Sequence, residues 1–322
     1  MTVRPVQEPG PDAVLRAAVV VARHLRVTPV VASPLLGADV WLKLETLQPT
    51  GSFKVRGALV AVAGALAEDP DRPVVTASAG NHGLGVAFAA RVFGARAIVV
   101  IPENASTAKR SALEDFDVEI VRHGSTYDEA ETHALVLAAA GGARFVSAYN
   151  DPDVIAGQGT IALELFDQIP GLTTIIAPIG GGGLLAGLAL AAAHRSGVGV
   201  RGVETDASPA VSASVTAGRV VAVPIGATLA DGLAGNIEPG AVTIPLIAHG
   251  VEQIAGVDEE SIKRAVRFLA FDHGLVVEPS GAVAVAALLC GRLAPGSGPT
   301  AVVVTGRNVS GALLGELLSG GP

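Results

Sequence analysis

The sequence predicts an α/β protein made of two doubly wound open-sheet lobes with a ligand cleft between them, and three observations support this. From residue 74 onward, short β-branched runs alternate with longer Ala/Leu-rich runs, the pattern of parallel strands and crossover helices. At 322 residues the chain exceeds the length at which one hydrophobic core stops growing, so two lobes are expected. Hydrophobic residues make up 50% and charged residues 16%, which leaves ample material for both cores.

In order, PVVTASAG predicts a strand and a glycine turn, NHGLGVAFAARVF a helix, ARAIVVIP a fully apolar strand, and STAKRSALEDF a helix with Ser106 as N-cap. VEIVRHG is a strand, STYDEAETHALVLAAAGG a helix closed by Gly141, and ARFVSAYN a fourth strand. DPDVIAGQGTIALELFDQI is a long helix capped by Asp151 or Asp153. TTIIAPIG, VGVRGVE and PTAVVVTG are then strands, and GGGLLAGLALAAAHR, SPAVSASVTAG, EPSGAVAVAALLCGRL and NVSGALLGELLS are helices. Residues 36–70 hold neither the alternating pattern nor a linker, so they are expected to pack with the second lobe. The expected domains are therefore a discontinuous larger one, residues 1–70 with 152–322, and a smaller one, residues 71–151.

Composition excludes several classes. A net charge of −8, with no basic cluster longer than Lys109–Arg110, offers nothing to a phosphate backbone, so no nucleic-acid partner is expected. The N-terminal stretch MTVRPVQEPGPD has no apolar core of a signal peptide. The longest uncharged apolar run, residues 179–193, is shorter than the ~18 residues that suggest a span, so no membrane association is expected. A single cysteine, Cys290, fits a reducing, cytoplasmic setting. So low a charged fraction suggests that apolar surface is covered by another subunit, hence a homo-oligomer, dimer or tetramer.

Ligands of such folds bind at the carboxyl ends of strands. Gly180, Gly181, Gly182 and Gly183 follow a strand and open a helix, so their N–H groups can form an anion nest, with a phosphate as the natural guest. Gly181, Gly183 and Ala186 also satisfy G-x-G-x-x-A, with Glu204 at the end of the next strand. The alternative is therefore an NAD-dependent oxidoreductase or a nucleotide-binding module. That alternative leaves PTGSFKVRGA and SAGNH without a task. In the latter, Ser78, Ala79, Gly80, Asn81 and His82 join a strand end to a helix start, and their donors suit a carboxylate or a phenolic oxygen. In the former, Lys54, one of four lysines, stands between Phe53 and Val55. Burial there would penalise its ammonium form and keep the amine nucleophilic.

Together KLETLQPTGSFKVRGA, SAGNHGLGVA, PENAS, AYNDPDVIAGQGTIALE, PIGGGGLLAG, GVE, ADGLA, EPSGA and VTGRN resemble, in order and spacing from about residue 28 to 314, the serine/threonine dehydratase and serine racemase family. These are pyridoxal-phosphate enzymes of fold type II, the tryptophan-synthase-β type. The resemblance implies that the cofactor lies in the cleft between the lobes, held as a Schiff base on Lys54 beside Phe53. Gly180, Gly181, Gly182 and Gly183 would cradle its phosphate, Asn81 would bond the ring hydroxyl, Thr305 would meet the ring nitrogen, and Glu278 would stand close to the ring. Ser78, Ala79, Gly80, Asn81 and His82 would hold the substrate carboxylate. The implied reaction is β-elimination from a β-hydroxy L-amino acid to a 2-oxo acid and ammonia, with Lys54 as general base. Threonine and serine are the default substrates, with 3-hydroxyaspartate or phenylserine as alternatives.

Three departures matter. Racemases of the family carry a serine at the position of Ala79, and alanine cannot move a proton, so little racemisation is expected. The divalent-cation set of some members is incomplete: Glu204 matches its first ligand, but the next acidic position falls at Ala210, beside Pro209, with Asp206 as the only substitute. Arg307 replaces a glycine of the usual GGN, and is either a substrate-side charge or a surface residue. Tyr127, Asp128 and Glu129 open a helix that could face the substrate or simply complement its dipole.

Overall fold

The computed structural model describes residues 4–105 and 107–319. The chain opens with helix α1 (Ala13–His24), strands β1 (Val30–Ala32) and β2 (Val40–Leu44), a 3-10 turn at Glu45–Leu47 and helix α2 (Lys54–Glu68). It then alternates through β3 (Val74–Ala77), α3 (Asn81–Phe93), β4 (Ala97–Ile101), α4 (Thr107–Glu114), β5 (Glu119–Arg122), α5 (Tyr127–Gly141) and β6 (Arg144–Phe145). Helix α6 (Pro152–Gln168) leads to β7 (Thr174–Pro178), α7 (Gly183–Ala192), β8 (Gly199–Thr205) and α8 (Ala210–Ala217). After an irregular stretch come α9 (Thr243–Gly250), β9 (Gln253–Val257), α10 (Glu259–Phe271), α11 (Pro279–Leu289), β10 (Thr300–Val304) and α12 (Gly311–Ser319).

Two sheets result. One has the order β1-β2-β10-β7-β8-β9, parallel except for β1, which pairs antiparallel with β2. The other has the order β5-β4-β3-β6 and is parallel throughout. Strands β7 and β10 are buried at every residue, as continuous apolar runs covered by helices on both faces should be. The last strand in sequence, β10, lies between β2 and β7, so the glycine run after β7 and Thr305 after β10 leave the sheet at the same end.

Helices α2 and α6 cross closely because Gly57 and Gly157 face each other: a Cβ on Gly57 would meet the Val154 backbone, and one on Gly157 would meet Gly57. Helix α2 has no side-chain N-cap. Its first turn is fixed instead by the fully buried Arg56, which donates to Glu45 through Nε and Nη2 (both 2.8 Å) and to Glu164 through Nη1 (2.7 Å). Lys43, also fully buried, donates to Glu164 (2.6 Å), Gln168 (2.7 Å) and the Thr28 carbonyl (2.7 Å), balancing two cations against two carboxylates.

Several expectations change in the structure. ARFVSAYN yields only the two-residue strand β6, because the Asn150 N–H turns back onto Ser147 Oγ (3.2 Å) and Asp151 caps α6 through the N–H groups of Asp153 and Val154. Helix α5 runs through Gly141 and is closed by left-handed Gly142, while Thr126 and Glu129 form a capping box at its start. Ser106, the expected cap of α4, lies outside the described residues. Strands β1, β2 and β9 and helices α1, α2, α9 and α10 have no counterpart among the expected elements.

Candidate active site between the two sheets

Two segments some 250 residues apart zip together to present Lys54. The Phe53 N–H donates to the Thr305 carbonyl (3.0 Å), Ser52 bridges Gly306, the Arg307 N–H donates to the Gly51 carbonyl (2.9 Å), and Asn308 Nδ2 donates to the Thr50 carbonyl (2.8 Å). Lys54, half-buried at the start of α2, then points its amine at the chain joining β6 to α6, donating to the Ala148 carbonyl (2.9 Å) with the Phe53 ring 5.3 Å away. Burial pulls its pKa down to about 8, against the opposing pull of the Glu278 carboxylate.

The glycine run lies at the end of β7. Gly182 has φ of 90°, a Cβ on Gly181 would overlap the Tyr149 ring, and one on Gly183 would meet the Tyr149 backbone. Among the described residues, no hydrogen bond uses the N–H groups of Gly180, Gly181 or Gly182. This is a cradle that side chains would fill, with N–H donors at a helix N-terminus, where an anion can be held. Ser52 Oγ, buried beside Lys54, also has no partner among the described residues. A lysine with a lowered pKa, an anion cradle and unclaimed donors fit a phosphorylated aldehyde.

The four-stranded sheet contributes the turn after β3. Ser78 Oγ accepts from the Gly80 N–H (3.2 Å), and half-buried Ala79 packs against the cluster of Ala87, Val99, Ile101 and Leu113. Asn81 reaches across to the other sheet: its Nδ2 donates to Glu278 Oε1 (2.7 Å), and its Oδ1 accepts from Asn308 Nδ2 (2.6 Å). The His82 ring turns the other way, bonding the Val146 carbonyl (3.1 Å), and burial lowers its pKa to about 3, so it is neutral and only its backbone faces the turn.

The side chains of the remaining candidates are engaged with other partners. Glu204 is buried, and its carboxylate takes the N–H and hydroxyl of Ser212. Burial raises its pKa, and no cluster of three or more His, Cys, Asp or Glu that could hold a metal occurs among the described residues. The Arg307 guanidinium donates to the Thr46 carbonyl (2.6 Å), folded over the 3-10 turn. Tyr127 bonds Glu131 (2.9 Å) within its own helix, and Glu129 completes the α5 cap. Sequence reasoning missed Asn308, Tyr149 and Glu238. Asn308 sits inside the quoted VTGRN and Tyr149 inside the quoted AYNDPDVIAGQGTIALE, whereas nothing local marks Glu238, whose N–H donates to Tyr149 Oη (2.9 Å).

Two open-sheet halves, a lysine of lowered pKa between them and an anion cradle opposite define an enzyme that works through a phosphorylated aldehyde cofactor. The chain belongs to the family described as pyridoxal-phosphate dependent enzymes, whose profile matches residues 21–306. It is 39% identical over 292 residues to an L-threonine ammonia-lyase of Thermotoga maritima, covering 90% of this chain and 72% of that one. Its fold is similar to that of maize serine racemase (TM-score 0.90, 31% identity, 96% and 97% of the two chains). It is likewise similar to the processed form of threonine deaminase isoform 2 from Solanum lycopersicum (TM-score 0.87, 29% identity, 98% and 92%). The cofactor is pyridoxal phosphate.

Proposed function

We propose that the protein is an ammonia-lyase that converts a β-hydroxy L-amino acid, with threonine and serine as the first candidates, into a 2-oxo acid and ammonia. The observation that carries this is the convergence of the Lys54 amine, the glycine cradle and the Asn81–Glu278 bridge in a chain 39% identical to a threonine ammonia-lyase. Pyridoxal phosphate, when bound, would supply an aldehyde reactive toward amines and an electron-accepting ring. Lys54, beside Phe53, would hold that aldehyde covalently, and its free amine would take the α-proton at Nζ; its pKa of about 8 keeps part of the amine neutral near neutral pH.

The N–H groups of Gly180, Gly181, Gly182 and Gly183 would bind the phosphate, and Asn81, set by Glu278 and Asn308, would meet the ring oxygen. Thr305 would offer the ring nitrogen a neutral hydroxyl. Ser78 and the N–H groups from Ala79 to His82 take the substrate carboxylate at the start of α3. Ala79 offers no proton to the second face of the substrate, which favours elimination over racemisation. The dinucleotide alternative gives way to the family assignment.

We assign residues 1–70 and 152–322 to the larger domain and 71–151 to a smaller, substrate-gating one, because the two sheets draw their strands from these ranges. A cytoplasmic homo-oligomer is part of the same proposal. Cys290 is unpaired, no helix among the described residues is long and apolar enough to cross a membrane, and Leu35 and Phe271 are 66% and 68% exposed.

The test is 2-oxo acid release from a panel of β-hydroxy amino acids, with borohydride trapping of the cofactor. Lys54→Ala is expected to fold, to lose the trapped adduct and to lower turnover by about 10³-fold or more. Ammonia release by Lys54→Ala at the parental rate would refute the assignment.

A further inference from the structure

The chain that joins β6 to α6 touches both ends of the proposed cofactor site. Its Ala148 carbonyl takes the Lys54 amine (2.9 Å), and Tyr149 lies with its ring against Gly181 and its backbone against Gly183. Glu238, on the irregular stretch before α9, holds this chain in place. Its N–H donates to Tyr149 Oη (2.9 Å), and its carboxylate takes the Asn150 side-chain amide. Asn150 Oδ1 in turn accepts the Val242 N–H (3.0 Å), and the neighbouring Thr243 hydroxyl donates to the Gly181 carbonyl (2.9 Å).

One guanidinium closes the arrangement. Arg4 Nη2 donates to Glu238 Oε1 (2.8 Å) and to the Asn150 carbonyl (2.6 Å), and its Cζ lies 5.2 Å from the ring centroid of Phe145 on β6. A single cation thus contacts the last strand of the smaller sheet, the connecting chain and the loop that backs the glycine run. Glu131 of α5, itself buried, lies within the field of both Arg4 and Glu238, so the guanidinium also offsets two neighbouring carboxylates.

We infer that the Arg4–Glu238 pair is a clasp that positions Tyr149, and through it the phosphate cradle, making Arg4, Glu238 and Tyr149 positioning residues for cofactor binding. The inference rests on the pyridoxal-phosphate reading of Lys54 and the glycine run. A clasp on the phosphate end has a specific signature: losing it weakens pyridoxal phosphate but spares pyridoxal, which has the same aldehyde and ring without the phosphate.

The experiment strips the full chain of cofactor and titrates it back with each compound, following the visible absorbance of the lysine-bound form, with melting temperature as a check on folding. Arg4→Met and Glu238→Gln are each expected to weaken pyridoxal phosphate by about tenfold while pyridoxal stays within about twofold of the parent, and Arg4→Lys to recover most of the loss. Tyr149→Phe keeps the ring over the glycines and removes only the Glu238 contact, so it is expected to show a smaller loss of the same kind in a protein that melts like the parent. Equal loss of both compounds, or a parental ratio in all variants, would overturn the clasp while leaving the function standing. A parent protein that binds neither compound at Lys54 would overturn both.

Discussion

A lysine amine attacks an aldehyde only when neutral, and the position of Lys54 changes how often it is. Burial lowers its pKa to about 8, so the neutral fraction grows as pH rises toward that value and saturates above it. The rate at which cofactor-free protein captures pyridoxal phosphate should therefore climb by about tenfold per pH unit between about 6 and 7.5 and level off above about 8.5. Stopped-flow absorbance across that range tests this, and a rate still rising steeply at pH 10 would mean an ordinary, solvated lysine. At this scale the sequence was informative: Phe53 and Val55 beside a lone lysine suggested burial, and Val55 is fully buried. It could not show that Ala148 receives the amine, because that contact spans 94 positions.

At the scale of elements, the first turn of α2 bears the functional lysine without any side-chain cap. Arg56, two residues on, replaces the cap with a buried bidentate pair to Glu45 and a second pair to Glu164. Burial alone would raise the Glu45 carboxyl, but Arg56 brings it below its ordinary value. Glu45→Gln removes one carboxylate from a balanced set and leaves a buried positive charge, a loss of about 3–5 kcal/mol. A fall in melting temperature of several degrees is expected, with a lower yield of Lys54-bound cofactor; an unchanged melting curve would show that the network contributes little. KLE and KVRGA were visible in the sequence as motif fragments. Their pairing was not, because Glu164 comes from α6, and only the close approach of Gly57 to Gly157 brings that helix near.

For the whole molecule, a chain with 16% charged residues that leaves Leu35 and Phe271 about two-thirds exposed is expected to self-associate. Light scattering on the purified protein should give a mass at least twice 32.1 kDa, and a monomer at micromolar concentration would remove that part of the proposal. The alternation of apolar runs from residue 74 determined the parallel α/β class, and the strand-end glycines, the lysine between Phe53 and Val55 and the SAGNH turn marked the residues of the candidate site, because each depends on local pattern and backbone chemistry. The short hairpin strands at Val30–Ala32 and Val40–Leu44 and the early end of the strand at Phe145 were decided only by tertiary pairing and capping. The same holds for the insertion of β10 between β2 and β7 and for the Arg4–Glu238 pair: these join residues far apart in sequence, and only the packed sheets bring them within hydrogen-bond range.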